Sequence, residues 1–381
     1  MARILLIDTV YPAFIRWLYE REPELAARGP AAQLRRAIEM GYHNVSVWAE
    51  PLRLLGHEVG EIWANHAPLQ HSWCREQGRL DLFPGGAAVE LPGLLAGFHH
   101  RLPGLRQAAD WFLPICAAQV RAFRPDILWL ADLYSFHDGF LAAVDGCYRH
   151  VIGQNAAVPP TTPLRRLDLA VSASAANLRH FREGGLPVEL LPHGFNPLIL
   201  HHLPDPPIPP VRPLAFFGSL YPAHREREAL LHGLAARMPI EVWTDAALPP
   251  AFATTKATRH DALWGGEMHA EVARTATVLN SHLDGTGDWA TNQRLYEVTG
   301  CGATLLTDRK SNLAELFVLD SECVAYDGPE DCAEKARWLA AHPSECAAIA
   351  ARGQRRTLTD HTVFQRGLRI EEIFAAHGMA T

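Results

Sequence analysis

The chain has no basic tail, no paired-cysteine motif and no apolar run long enough to span a bilayer. Each absence removes a class of function. The 381 residues carry a formal net charge of −7, and pairs such as Arg35-Arg36 and Arg165-Arg166 are too short to form a basic stripe, which excludes a general nucleic-acid binder. Phosphate recognition by a few placed groups survives, because it depends on local charge. Seven cysteines are scattered without a C-x-x-C, and their number is odd. A disulfide framework and a zinc ribbon are therefore set aside, and a reducing, cytoplasmic location is expected. Met1-Ala2-Arg3 leads directly into Ile4-Leu5-Leu6-Ile7, which reads as a short buried strand and not as a signal peptide. The apolar stretch from Leu91 to Phe98 is broken by Pro92 and Gly97. No G-x-G-x-x-G follows a strand and no Walker A sequence occurs, so dinucleotide-dependent oxidoreductases and P-loop enzymes lose their signatures.

What is present is ample material for two cores. Hydrophobic residues make up 48% and charged residues 20% of the chain, a globular composition, and the length suits two domains. The N-terminal half alternates short strands (Ile4–Ile7, His57–Val59, Ile127–Leu130, Val151–Gly153, Leu169–Ser172) with helical sequence at Gln33–Met40, Asn44–Leu55 and Ala117–Phe123. Gly56 ends the second of these helices, where positive φ is useful. Residues 65–105, rich in Trp, His, Pro and Gly, read as loop and short helices. The stretch Leu203–Pro213 holds six prolines and reads as a stiff linker. Strands resume at Leu214–Phe217, Ile240–Trp243, Thr277–Asn280, Thr304–Thr307 and Cys323–Tyr326, with a helix at Arg225–Arg237. Such alternation predicts parallel sheets covered on both faces. The expected fold is α/β, with two doubly wound, Rossmann-like domains: 1–205, 206–360, and a C-terminal helix at 361–381 packing back on the first.

Two segments of the second half have the composition of an anion site. In LAFFGSLYPAHREREALLHGL a strand runs into Gly218-Ser219, and the next helix opens with Arg225. Glycine lets a phosphate approach the backbone, and a hydroxyl and a guanidinium bind its oxygens. An ordinary strand-to-helix turn would look the same. In LNSHLDGTGDWATNQRLYEVTGCGATLLTD a strand opens into a glycine loop and a helix begins near Asn292. Asn292 and Arg294 would then lie in its first turn, facing phosphates, and Glu297 could accept both hydroxyl protons of a ribose. A solvated, charged helix face is the alternative.

The pattern N-x-R-x-x-E followed by G-x-G-A and a strand, then Leu313-Ala314-Glu315-Leu316-Phe317, resembles the C-terminal domain of CgeB-like glycosyltransferases of the broad group 1. The likeness continues through Ala325-Tyr326-Asp327, His342-Pro343 and His361-Thr362-Val363-Phe364-Gln365-Arg366, and includes Leu191-Pro192-His193-Gly194-Phe195-Asn196. It covers residues 185 to 375. The resemblance implies a GT-B fold, with the two domains facing each other across a cleft. It also implies a nucleotide-sugar site, with Glu297 at the ribose, Asn292 and Arg294 at the phosphates, and Gly218, Ser219 and Arg225 lining the cleft. One position departs: related transferases carry a carboxylate eight residues before this glutamate, where this chain has Trp289 beside Asp288.

The implied activity is glycosyl transfer from a nucleotide-diphosphate sugar to an acceptor hydroxyl, independent of metal. The donor is a substrate, and no cofactor is expected. Twenty histidines raise the question of metal. However, His99-His100 and His201-His202 are neighbours that point apart, no H-x-x-x-H occurs, and Asp284 with Asp288 mimics a metal-binding D-x-D loop poorly. The N-terminal domain would bind the acceptor and supply a base; the candidates are Asp8, Asp132, His137 and Asp138, at strand ends. Each also fits a helix cap or loop role. Trp63, Trp73 and Trp111 are core residues or sugar-stacking surfaces. A glycan, a lipid-linked acceptor, a protein and a small molecule all stay open as acceptor, as does peripheral membrane contact; nucleic acid does not. Two rivals share the fold: a sugar-nucleotide 2-epimerase and a non-catalytic, transferase-like binding protein.

Overall fold

The computed structural model describes residues 1–42, 47–84, 111–155, 159–220, 225–282 and 287–379. The chain packs as two units. One comprises Met1–Ala173, Asn177–Leu191 and Gly367–Thr381; the other comprises Ser174–Ala176 and Pro192–Arg366.

The first unit is built on six strands: β1 Arg3–Asp8, β2 Glu58–Trp63, β3 Ile127–Leu130, β4 His150–Gln154, β5 Leu169–Ser172 and β6 Val188–Leu190. They form one sheet in the order β2-β1-β3-β4-β5-β6, with every pair parallel. Parallel strands are covered by crossover helices on both faces, so both sets of side chains must be apolar. Hence Ile4, Leu5, Leu6 and Ile7 are all buried, as are all four residues of β3. Phe112, Phe136 and Phe140 close the core on one face of the sheet.

The second unit holds β7 Arg212–Phe217, β8 Ile240–Thr244, β9 Ala257–Asp261, β10 Thr275–Asn280, β11 Thr304–Asp308 and β12 Val324–Tyr326, in the order β12-β11-β10-β7-β8-β9 and again parallel throughout. Two cores sandwich this sheet, one around Leu230, Leu234 and Leu339, the other around Phe195, Leu295 and Phe317.

Several sequence expectations shift. The passage from the first unit to the second comes at Leu191–Pro192, and the proline-rich stretch lies inside the second unit. The reason is Phe195. Its ring is fully buried, its N–H donates to His361 O (2.7 Å) and its carbonyl accepts from Val363 N (2.9 Å), which fastens residues 192–203 to the second core. Within the region read as loop, Ala67–Glu76 is a helix of ten residues, started by Pro68 and capped by His66 Nδ1, which accepts from Leu69 N. Residues 85–105 of that region, His99-His100 among them, lie outside the described residues. The helix ending before Gly56 runs only over Ala49–Leu54, and Gly56 does take positive φ (94°). Trp63 is a core residue, fully buried.

The last helix, Val363–Ala376, ends within the first unit. Arg369 and His377 both reach Glu189, at 2.8 and 3.0 Å, and Glu371 reaches His57 Nε2 at 2.7 Å. Among the described residues no helix is long and apolar enough to cross a membrane.

Gly353, inside the helix Pro343–Asp360, lies against the backbone of Glu322: a Cβ at position 353 would overlap the Glu322 carbonyl oxygen. Backbone cannot swing aside as a side chain can. Gly353→Ala should therefore destabilise the second unit by about 1–3 kcal/mol, despite alanine's better helix propensity. Urea denaturation checks this, and an unchanged midpoint would contradict it.

Candidate functional site

In doubly wound sheets a ligand crevice opens beyond the carboxyl ends of the strands, where the strand order reverses. Each unit has one such point: between β1 and β3 in the first, between β7 and β10 in the second.

At the second unit's reversal, β7 ends in Gly218-Ser219 and β10 in Ser281-His282. The Gly218 N–H donates to Trp243 O (3.0 Å), and a Cβ there would press on the Phe216 ring at 2.9 Å. Ser219 is partly exposed, and Arg225, the first residue of the helix Arg225–Arg237, is exposed. The buried arginine is Arg227, 8% exposed. Its Nη1 donates to Ser219 O (3.1 Å) and its Nη2 to Ser281 O (2.7 Å), and its guanidinium lies over the Phe216 ring. Arg227 thus ties together the two loops that border the crevice. Sequence reasoning placed a cation at this helix start but on the residue facing water.

The helix beyond β10 spans Arg294–Gly300. Asn292 therefore precedes it and does not belong to its first turn. Its side-chain amide donates to Asn280 Oδ1 (2.8 Å), and Asn280 in turn donates to Thr307 Oγ1 (2.9 Å). This pins the loop to the ends of β10 and β11. Arg294 turns to Glu297, Nη1 to Oε2 at 2.8 Å, and both side chains are mostly buried. Glu297 also lies 3.7 Å from Nε2 of the buried His269. His193, near Glu297, has its pKa pushed down to about 4 by burial, against the opposing pull of that carboxylate. The carboxylate and the guanidinium come together as the spacing i, i+3 requires, and Arg294 is spent on orienting Glu297. Asp288 is exposed, its Oδ1 accepting from Ser311 N (3.2 Å), and Trp289 is partly buried. Asp284 lies outside the described residues.

The residue sequence reasoning missed is His282. Its side chain is 1% exposed, and Nδ1 lies 2.7 Å from Asp308 Oδ1, an oxygen that also accepts from the His282 backbone N–H (3.2 Å). Lys310 Nζ stands 3.2 Å from Asp308 Oδ2. Burial alone would raise the Asp308 carboxyl, but His282 and Lys310 outweigh it and hold the pKa below its ordinary value. No spacing could have signalled a pair 26 residues apart on adjacent strands.

At the first unit's reversal stand Asp8 and Asp132. The Asp8 carboxyl is held well above the usual carboxylate range by burial and then by the charge of Asp132, against a hydrogen bond from Thr9 N. Thr9 Oγ1 donates to Asp132 Oδ2 (3.1 Å), and Asp132 Oδ1 accepts from Tyr134 N (2.9 Å) and Ser135 N (3.2 Å). His137 and Asp138 make hydrogen bonds elsewhere. His137 Nδ1 caps the helix Asp138–Ala143 by accepting from Gly139 N (3.2 Å). Asp138 accepts from the backbone N–H groups of Arg165 and Arg166, both at 3.1 Å. His137 also borders a cavity of about 490 Å³, with Arg79, Arg121 and Phe140 on its walls. Among the described residues no three His, Cys, Asp or Glu side chains gather as a metal-ligand set.

Residues 216–373 match the family model described as "Glycosyl transferase-like", a span that contains every group described in the second unit's crevice except His193. The second unit is thus similar to that family, and the chain has the GT-B fold. Solved structures of that fold match over the whole length. Sucrose-phosphate synthase from Thermosynechococcus elongatus is 11% identical with a TM-score of 0.59, covering 100% of both chains. A glycosyltransferase from Rickettsia africae ESF-5 is 10% identical with a TM-score of 0.60, covering 100% of this chain and 99% of that one. Anabaena Alr3699/HepE, solved in complex with UDP-glucose, is 13% identical with a TM-score of 0.56, covering 99% and 100%. No curated protein matches the chain. For this GT-B chain the structural neighbours establish the fold; the chemistry rests on its own residues.

Proposed function

We propose that the chain transfers a glycosyl group from a nucleoside-diphosphate sugar, held at the reversal point of the second unit, to an acceptor hydroxyl. The observation that carries this reading is the Glu297–Arg294 pair beside the β7–β10 crevice. A mostly buried carboxylate, fixed by a guanidinium, presents two oxygens of the right spacing for the vicinal hydroxyls of a ribose. The Gly218-Ser219 turn and the exposed Arg225 line the approach for the phosphates. Groups of the chain itself, and not a divalent ion, would meet the charge of the departing diphosphate; turnover should accordingly survive EDTA.

The base that takes the acceptor's proton is, in this reading, the Asp8–Asp132 pair. Burial, and then the charge of Asp132, hold the Asp8 carboxyl well above the usual carboxylate range, the direction a general base needs. His137 and Asp138 are engaged in capping and loop fastening. Because the Asp8 pKa is raised in the folded chain, its proton favours folding below the unfolded value near 3.8. That contribution is lost as pH rises through the folded value. Asp8→Asn should therefore melt at a higher temperature than wild type at pH 7.5, while transfer to an acceptor falls by two orders of magnitude or more, an amount typical of losing a general base. A variant with lower stability and intact transfer would remove Asp8 from the reaction.

Incubation with UDP-, GDP-, ADP- and dTDP-sugars, with and without a panel of acceptor alcohols, tests the function itself. HepE makes UDP-glucose the first donor to try. Acceptor-dependent release of nucleoside diphosphate supports transfer. An isomerised sugar nucleotide formed without acceptor would point to a 2-epimerase instead, and binding without turnover to a non-catalytic protein.

A further inference from the structure

We propose that His282 is a diphosphate-binding residue of the donor site: its Nε2 donates a hydrogen bond to an anionic oxygen of the donor's diphosphate, and Asp308 positions the ring for it. The inference rests on the donor-site reading above.

Three observations carry it. The first is a missing partner. Among the described residues His282 Nε2 is buried with no hydrogen-bond partner, although the ring is held on its other side by the 2.7 Å contact from Nδ1 to Asp308. Buried polar nitrogens are costly to leave unmet, and such exceptions ask for an explanation. The second is direction. β10 lies between β11 and β7 in the sheet. Asp308 ends β11 and takes Nδ1, which leaves Nε2 on the side of the ring away from that carboxylate, and the other flank of β10 carries β7 and the crevice. The third is charge. Nδ1 faces a carboxylate, and an imidazolium donates from both ring nitrogens, one to that carboxylate and one to a diphosphate oxygen. Lys310 on the outer oxygen of Asp308 (3.2 Å) and Arg227 on the Ser281 carbonyl (2.7 Å) add positive charge around the same strand end and select against a cation. The most anionic part of a sugar nucleotide is its diphosphate. Oriented donors of this kind act where charge develops as the sugar leaves.

The arrangement also explains Asp308. It holds the ring by Nδ1 and so fixes its orientation, as an outer carboxylate does for a histidine that binds a ligand. It is a positioning residue.

The experiment is calorimetric titration of wild type, His282→Asn, His282→Gln and Asp308→Asn with UDP against UMP, GDP against GMP and ADP against AMP. Asparagine keeps a donor at the Nδ1 position for Asp308 but has nothing at Nε2, so it isolates the ligand bond from the structural one. Glutamine reaches to the Nε2 position. Wild type should prefer one diphosphate over its monophosphate. His282→Asn should lose that preference by about 10- to 100-fold, the range for one hydrogen bond to a charged group, with monophosphate affinity unchanged. His282→Gln should recover part of it, and Asp308→Asn should fall between. If His282→Asn does not fold, diphosphate preference retained in His282→Gln and reduced in Asp308→Asn supports the assignment. Equal preference in wild type and His282→Asn, or in all the folded variants, overturns it and leaves the donor site standing. No binding of any diphosphate by wild type overturns the donor-site reading, and this inference with it.

Discussion

Glu297→Ala should lower affinity for the donor nucleotide by about 100-fold, the loss of two hydrogen bonds to a charged acceptor. The side chain is 16% exposed and braced by Arg294 at 2.8 Å, so it meets a ligand already oriented and without an ordering cost. The neighbours define the controls. Arg294→Met removes the brace, leaves the carboxylate, and should weaken binding less. Glu297→Gln keeps the shape but halves the acceptor capacity, and should fall between wild type and alanine. Calorimetry on the three variants, with melting temperatures recorded alongside, checks the ranking. Equal affinity in wild type and Glu297→Ala would remove Glu297 from the site.

The second large effect is on stability in mild acid. His66 is completely buried, its Nδ1 accepts from Leu69 N at 3.3 Å, and burial pushes its pKa down to about 4. His193, in the second unit, is likewise pushed down to about 4. A histidine with a depressed folded value binds its proton more readily when unfolded. Its contribution is complete above the unfolded value near 6.5 and is lost as pH falls toward 4. For His66 the difference amounts to about 3 kcal/mol, and protonation would also remove the acceptor that caps Ala67–Glu76. The urea midpoint should fall markedly between pH 7.5 and 4.5. In His66→Asn, whose amide oxygen can cap without titrating, the fall should be smaller. Identical pH profiles for the two proteins would show that His66 does not govern the acid limb.

The strands at the centres of the two sheets were legible because burial on both faces leaves an unbroken apolar run: Ile4–Ile7, Ile127–Leu130, Leu214–Phe217. The edge strand β9, Ala257–Asp261, was not. It reads ATRHD and is buried at no position, since an edge strand needs apolar residues on neither flank. The helix Ala67–Glu76 was hidden by its mixed composition, and what specifies it is a proline at its start and a histidine cap. At the site, resemblance singled out the glutamate, but the sequence reading set Arg294 at the phosphates, whereas in the structure it turns to Glu297. What sequence could not give was rotation and distance. Arg225 and Arg227 stand on one turn, and only packing against Phe216 decides which of them is buried. Asp8 and Asp132 are joined by strand pairing of β1 with β3, and His282 and Asp308 by that of β10 with β11. These partnerships are set by sheet order, which no local pattern encodes.

Hydrogen–deuterium exchange across the chain, with and without a saturating nucleoside diphosphate, tests the central claim most directly. Slowed exchange confined to 217–220, 280–282 and 292–300 is the predicted result, because bound ligand stabilises the segments that border the β7–β10 reversal. Protection found only in the first unit, or nowhere in these three segments despite measured binding, would contradict the placement of the donor.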